Sequence, residues 1–223
     1  MAYDGDVVVD GPAQCRETEQ LIIHKLAVGP LSNNVYLLID KATGATLLID
    51  AADDTEAVLE LCGGELDQVL TTHGHWDHVQ ALNQVIDATG ATTLASEAAA
   101  PLLPVPVDQK VADGETVTMG ATELKAITLY GHGSEHDEHP LESLALIHED
   151  HDGSVHIFTG DCLFPGGIGK TASRTSFDLL FGDVKSKIFD QYPDHTYIYP
   201  GHGSDTTLEA ERPQLDQWRE RGW

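Results

Sequence analysis

Four residues able to bind a metal arrive within six positions in His73-Gly-His75-Trp-Asp77-His78, directly after the β-branched and apolar run Val69-Leu70-Thr71-Thr72. That run suits a buried strand, so the ligands fall on the loop leaving its C-terminal end, where open α/β sheets place their chemistry. In extended backbone alternate side chains share a face, so His73 and His75 point the same way, while Asp77 and His78, past the bend, aim at a neighbouring point. One metal cannot use all four comfortably. Two adjacent metals can, with the histidine pair facing one ion and the Asp–His pair the other. A lone loop histidine usually satisfies backbone groups, but four such groups in so short a span beside a strand argue against that reading. Imidazole suits zinc and also iron, copper and nickel, so the spacing identifies a site more firmly than a metal.

Three further segments follow in order: His132 in Tyr130-Gly-His-Gly133, Asp161 in Thr159-Gly-Asp-Cys-Leu-Phe164, and His202 in Tyr199-Pro-Gly-His-Gly203. Together with His73-x-His75-x-Asp77-His78 they resemble the metallo-β-lactamase fold superfamily, from about Asn33 to His202. The resemblance implies an α/β fold, a four-layer αββα sandwich in one domain. It also implies one ion held by His73, His75 and His132 and a second by Asp77, His78 and His202, with Asp161 bridging and Asp50 supporting the loop from behind. Two zinc ions are expected, with iron or manganese as substitutes. Two dications against two carboxylates leave room for a hydroxide between them, because metal binding lowers the pKa of water to about 7. A polarised carbonyl can then be attacked without a protein nucleophile, and Asp77 is the candidate to pass a proton to the leaving group.

Within the superfamily the sequence is most similar to the hydroxyacylglutathione hydrolase (glyoxalase II) branch, which implies a thioester hydrolase acting on a small thiol. In the turn Gly166-Gly-Ile-Gly-Lys170-Thr-Ala172, Lys170 matches a thiol-binding lysine of that branch, whereas Ile168 and Ala172 replace its usual cysteine and tyrosine. Twenty residues follow Gly203, too few for the helical C-terminal domain of longer members, so the likeness is to short single-domain forms. Lys170 sits in a glycine-rich turn where a ligand can approach closely, and it offers a compact positive charge to a substrate carboxylate; Arg174 is a weaker candidate. Lys185 and Lys187 read as exposed helix residues paired with nearby acids. Rival activities on the same fold are a mononuclear-iron persulfide dioxygenase, using the positions of His73, His132 and Asp161, and a lactonase or other ester hydrolase.

With 12 basic and 37 acidic residues the chain carries a formal charge of −25. The summed field repels phosphate, which argues against nucleic acid or an anionic membrane as partner and leaves a small-molecule substrate, with the protein a monomer or homodimer. No run could span a membrane, and residues 1–10 lack the features of a signal peptide. Cys15, Cys62 and Cys162 are distant and odd in number, which fits reduced thiols in a cytoplasm. Cys162 reads as a small buried neighbour of Asp161 rather than a ligand, and His136 and His139 as solvated loop residues.

The elements that must position these groups are legible as periodicity. Residues 1–20 form a polar lead-in to a domain spanning 21–223. Strands are expected at 21–27, 35–39, 46–50, 69–72, 92–96, 111–118 with a turn at Asp113-Gly114, 122–129, 143–147, 154–159 and 196–199, with the segment Gly29 to Asn34 as a turn. Helices are expected at 56–62, 79–89, 97–103 and from a cap at Thr175-Ser176 to about Tyr192. So acidic a surface suits a high-salt interior, where self-repulsion is screened. The melting temperature should therefore rise between low salt and molar potassium chloride; an unchanged value would count against it.

Overall fold

The computed structural model describes residues 3–133 and 141–222. Alternation of apolar side chains builds a first sheet whose strands follow sequence order. β1 (Gln14–Glu17), β2 (Leu21–Val28), β3 (Asn33–Asp40) and β4 (Thr46–Ile49) form an antiparallel meander. The helices α1 (Thr55–Leu61) and α2 (Leu82–Thr89) then return the chain so that β5 (Gln68–Leu70), β6 (Thr92–Ala95) and β7 (Gln109–Lys110) continue in parallel. The second part contributes β8 (Thr116–Met119), β9 (Thr122–His132), β10 (Leu141–Glu149) and β11 (Val155–Gly160), the small hairpin of β12 (Leu163–Phe164) and β13 (Gly167–Ile168), and β14 (Tyr197–Pro200) and β15 (Thr206–Thr207). Its sheet runs β15-β14-β11-β10-β9-β8, with β11 and β14 parallel.

The period of two in these strands feeds three cores. Tyr36 and Leu38 of β3 face Leu144, Leu146 and Phe158 of the second sheet, in the layer between the sheets. Their neighbours Val35 and Leu37 turn outward to Val58 of α1 and Leu82 and Val85 of α2. On the far side Ile127, Leu129, Ala145 and Ile157 pack against Phe177, Leu180 and Phe181 of α3 (Arg174–Asp183). Each such side chain, fully buried, stabilises by roughly 1.5–3 kcal/mol, which makes both sheets two-sided and gives the four-layer αββα order.

Several boundaries differ from expectation for identifiable reasons. The expected strand 111–118 is broken at Asp113-Gly114, where the chain crosses from β7 in one sheet to β8 in the other, leaving Val111 buried between them. The expected helix 97–103 is only a 3₁₀ turn at Ala100–Leu102, since Pro101 enters at its start and Pro104 follows. The cap of α3 is Ser173, whose side chain accepts from the Ser176 backbone, and the helix continues as a π-helical segment, Val184–Phe189. After α4 (Leu208–Glu211), α5 (Leu215–Arg221) places Trp218, 1% exposed, in the outer core beside Phe189.

One buried cation ties the chain together. Lys25 of β2 is completely buried, and its Nζ donates to Gly5 O at 2.6 Å, Gly203 O at 2.8 Å and Asp205 Oδ1 at 2.6 Å. Tyr3 donates to the other Asp205 oxygen at 2.5 Å. Burial lowers the Lys25 pKa and raises that of Asp205, so each charge depends on its partner. Lys25→Ala should strand Asp205 and two carbonyls and destabilise by about 3–5 kcal/mol, read as a lower midpoint in denaturant. An unchanged midpoint would mean water replaces the ammonium freely.

Candidate metal centre

The six residues from His73 to His78 follow the end of β5, and Trp76–His78 form a 3₁₀ turn with His75 at its N-cap. His132 ends β9, Asp161 follows β11, and His202 follows β14, so both sheets deliver candidate metal-binding groups to the same edge of the sandwich. His75 Nδ1 lies 2.8 Å from His73 Nε2 and 3.1 Å from His132 Nε2. The second group places His202 Nε2 3.4 Å, and His78 Nε2 3.6 Å, from Asp77 Oδ2. Asp161 touches both groups: Oδ2 is 3.7 Å from His132 Nε2 and 3.4 Å from His202 Nε2, and Oδ1 is 3.5 Å from His78 Nε2. In each of the sets His73/His75/His132, Asp77/His78/His202 and His73/His78/Asp161, the inward atoms lie within 4.8 Å of one another.

The outward nitrogens are held by acceptors that fix the tautomers. His78 Nδ1 donates to Asp50 Oδ2 at 2.8 Å, His132 Nδ1 to Lys170 O at 2.9 Å, and His202 Nδ1 to Leu31 O at 3.0 Å. Thr72 Oγ1 donates to Asp50 Oδ2 at 2.8 Å, so it accepts from His73 Nδ1 at 3.0 Å. The Nε2 atoms of these four rings are thereby left facing inward, the orientation metal-binding histidines need. Asp50 occupies the left-handed region, φ 59°, which aspartate tolerates and which ends β4 beneath the loop. Asn33 Nδ2 donates to Asp77 Oδ2 at 2.9 Å, while Asn34 donates to Pro200 O and Gly203 O on either side of His202.

Two glycines are required by close approach. A Cβ at Gly201 would strike Asp161 Oδ1 and lie 2.9 Å from His78 Cε1, and one at Gly169 would strike the Asp161 carbonyl. The donor set suits a metal on a direct observation. His78 Nε2 and Asp161 Oδ1 are buried, face each other across the cluster and have no hydrogen-bond partner, which is costly unless a cation takes both lone pairs.

Sequence comparison places this geometry in a family. A profile of the metallo-β-lactamase superfamily matches residues 28–202. The chain belongs to that superfamily. A hydroxyacylglutathione hydrolase from Jannaschia sp. (strain CCS1) is 31% identical over 192 residues, which is 82% of this chain and 70% of that protein. Among solved structures, ETHE1 from Myxococcus xanthus superposes with a TM-score of 0.69 at 25% identity, covering 89% of this chain and 84% of that one. TTHA1623, solved in a di-iron-bound form, superposes with a TM-score of 0.67 at 26% identity, covering 84% of this chain and 96% of that one. The metallo-β-lactamase fold expected from the motifs is thus the observed one, and the chain is a metallohydrolase with a divalent-metal site.

Other expected residues fall at different distances from the chemistry. Lys170 is exposed at the rim, its carbonyl on His132. Arg174 is turned along α3, its Nε 3.0 Å from Asp178 and its guanidinium over Phe177. Lys185 and Lys187 pair with Asp190 and Asp183. Cys162 is in the outer core, its thiol pushed up to about 12 by burial, and it belongs to none of the three groups of converging metal-binding atoms. His136 and His139 lie outside the described residues. Among the described residues, no helix is long and apolar enough to cross a membrane.

The electrostatics of the cluster set its pH dependence. Burial pushes His73 well below its ordinary value and His132 down to about 4. Burial pushes Asp161 up, but the His202 and His78 imidazoles beside it override that and hold the carboxyl well below the usual range. Burial would lower His78 and His202 too, yet Asp50 and Asp161 raise His78 well above normal, and Asp161 and Asp77 raise His202 to about 10. Both rings therefore favour a second proton, for whose place a metal would compete. Metal uptake should expel these two protons and tighten as pH rises. Calorimetry in buffers of different ionisation enthalpy measures this directly, and an absence of proton release would show the pair neutral beforehand.

Proposed function

We propose that this chain hydrolyses thioesters of a small anionic thiol at a dinuclear centre occupied mainly by zinc, held by His73, His75 and His132 on one side and Asp77, His78 and His202 on the other, with Asp161 between them. The observation that carries the reading is the position of Asp161, whose two oxygens lie against imidazoles of both groups. Seven groups converging in this way are more than a single ion needs. The name of the Jannaschia relative, a hydroxyacylglutathione hydrolase, supports the thioester class, and the di-iron form of TTHA1623 supports two metals on this fold.

When bound, divalent metal supplies what the side chains lack, a water acidic enough to attack near neutral pH and a Lewis acid for the substrate carbonyl. The chain does the rest. Asp50, Lys170 O and Leu31 O hold the imidazoles in one tautomer, so no reorganisation is needed as charge develops. Asn33 fixes one oxygen of Asp77, the carboxylate we assign to take a proton from the attacking water and pass it to the departing thiol. A thiolate leaves readily, so the demand on Asp77 is small. Lys170 offers its ammonium to the distal carboxylate of the thiol, an anion the overall field otherwise repels. Arg174, paired with Asp178, is the weaker anchor.

Metal analysis with a panel of thioesters, lactones and a thiol persulfide tests the assignment. Two equivalents of metal with thioester turnover is the expected result. One equivalent of iron, no second metal and oxygen uptake with the persulfide would replace it with the dioxygenase reading. Lys170→Ala should raise KM for a 3-mercaptopropionate thioester about tenfold or more while changing its neutral amide analogue little and kcat little, the mark of lost uniform binding. Equal effects on both substrates would show that Lys170 holds the turn instead.

A further inference from the structure

Among the described residues, six large hydrophobic side chains stand exposed: Val8, Leu31, Trp76, Leu102, Tyr130 and Leu179. Three of them lie next to the metal-binding groups, by sequence, by packing or through a backbone hydrogen bond. Trp76, 62% exposed, sits between His75 and Asp77. Leu102 lies over Gly74, where a Cβ would come 2.7 Å from the leucine Cβ. Leu31 belongs to the turn whose carbonyl accepts from His202 Nδ1. Tyr130 differs, because its ring lies near the Lys187 ammonium and its hydroxyl donates to Glu142, so it already has partners.

The fold does not need the indole. Trp76 enters the 3₁₀ turn through its backbone, its carbonyl accepting from Val79 N at 3.4 Å, and most of its side chain faces solvent. A chain carrying a charge of −25 covers its surface with polar groups, so an exposed tryptophan among metal-binding side chains calls for something to cover it. Apolar surface grouped at a site with a few convergent polar atoms is the usual construction of a small-molecule pocket. Lys170 lies on another part of the rim, beside His132.

We propose that Trp76, with Leu102 and Leu31, is the specificity surface for an apolar acyl group, so that the substrate is a thioester with an anionic thiol at Lys170 and a hydrocarbon acyl chain against the indole. This rests on the thioester reading above and narrows its substrate class. A methylene that is fully buried contributes about 0.8 kcal/mol, close to fourfold in binding. Going from an acetyl to a hexanoyl chain on an open rim should therefore favour the longer chain by at least about tenfold in kcat/KM.

The test compares S-acetyl and S-hexanoyl 3-mercaptopropionate with the metal-loaded wild type, Trp76→Ala and Trp76→Phe, after checking that all three retain metal. The wild type should prefer hexanoyl, Trp76→Phe should keep most of that preference, and Trp76→Ala should reduce it to less than about threefold. Hydrolysis of both esters without chain-length preference overturns the proposal and leaves the thioester reading standing. If neither ester is hydrolysed, that reading fails, and calorimetry with the S-hexyl and S-ethyl thioethers decides the rim separately. Tighter hexyl binding that is lost in Trp76→Ala upholds it, and equal affinities overturn it. A concentration-dependent dimer in sedimentation, abolished by Trp76→Ala, also overturns it by assigning the patch to a second copy of the chain.

Discussion

The Asp50 carboxylate is the constraint on which the centre depends. It accepts from the Thr72 backbone at 2.7 Å, from the Thr72 hydroxyl and from His78 Nδ1. Through Thr72 it sets the tautomer of His73, and through His78 that of the other group, so one side chain at the end of β4 aligns both halves of the cluster. That is possible only because β4 and β5 run parallel and in register, Ile49 beside Leu70, which brings the end of one strand under the loop that leaves the next. A parallel pair needs a crossover connection, and α1 supplies it. The outer core around Val58 therefore serves the chemistry by keeping two strand ends level.

The second sheet adds its candidate metal-binding groups by the same logic of strand ends, but against a different background. His132, Asp161 and His202 arrive where Gly169 lies against the Asp161 carbonyl and Gly201 against the Asp161 and His78 side chains, so that neither glycine admits a side chain. The cluster is thus assembled across the seam of the sandwich, with the shared apolar layer of Tyr36, Phe158 and Tyr199 beneath it. Tyr36 extends that layer into the site, donating to Pro200 O at 2.7 Å and so holding the strand end that presents His202. Packing and site geometry share the same residues here, so the core itself holds the strand end that presents His202.

Much of this was legible because the informative signals are local. The spacing His73-x-His75-x-Asp77-His78 follows a strand by direct adjacency, and alternation in β3, β9 and β10 marks two-sided sheets. What escaped depends on partners far along the chain. Lys25 reads as an ordinary polar residue in a strand, and only the fold reveals Asp205 as its counterion. Asn33 and Asn34 have the composition of a turn, yet they open β3, and their side chains cross to Asp77, Pro200 and Gly203. The break between β7 and β8 was marked by Asp113-Gly114, but a turn signal does not say that the chain changes sheets. Trp218 carried a weak cue, a large apolar residue in a charged segment, and it becomes a core residue only because α5 folds back onto Phe189.

The Lys25 knot has a consequence for the order of assembly. It joins residues 202 positions apart through Tyr3 and Asp205, next to a ligand whose neighbour Asn33 is 169 positions away. Contacts of such separation form late, since their loop-closure entropy is recovered only after the intervening elements are fixed. His73, His75, Asp77 and His78 lie on one short segment and can meet an ion early, whereas His202 comes into place only when the two ends of this segment of the molecule have met. The group of Asp77, His78 and His202 therefore exists only in the completed fold, whereas its first two members are set by one local turn.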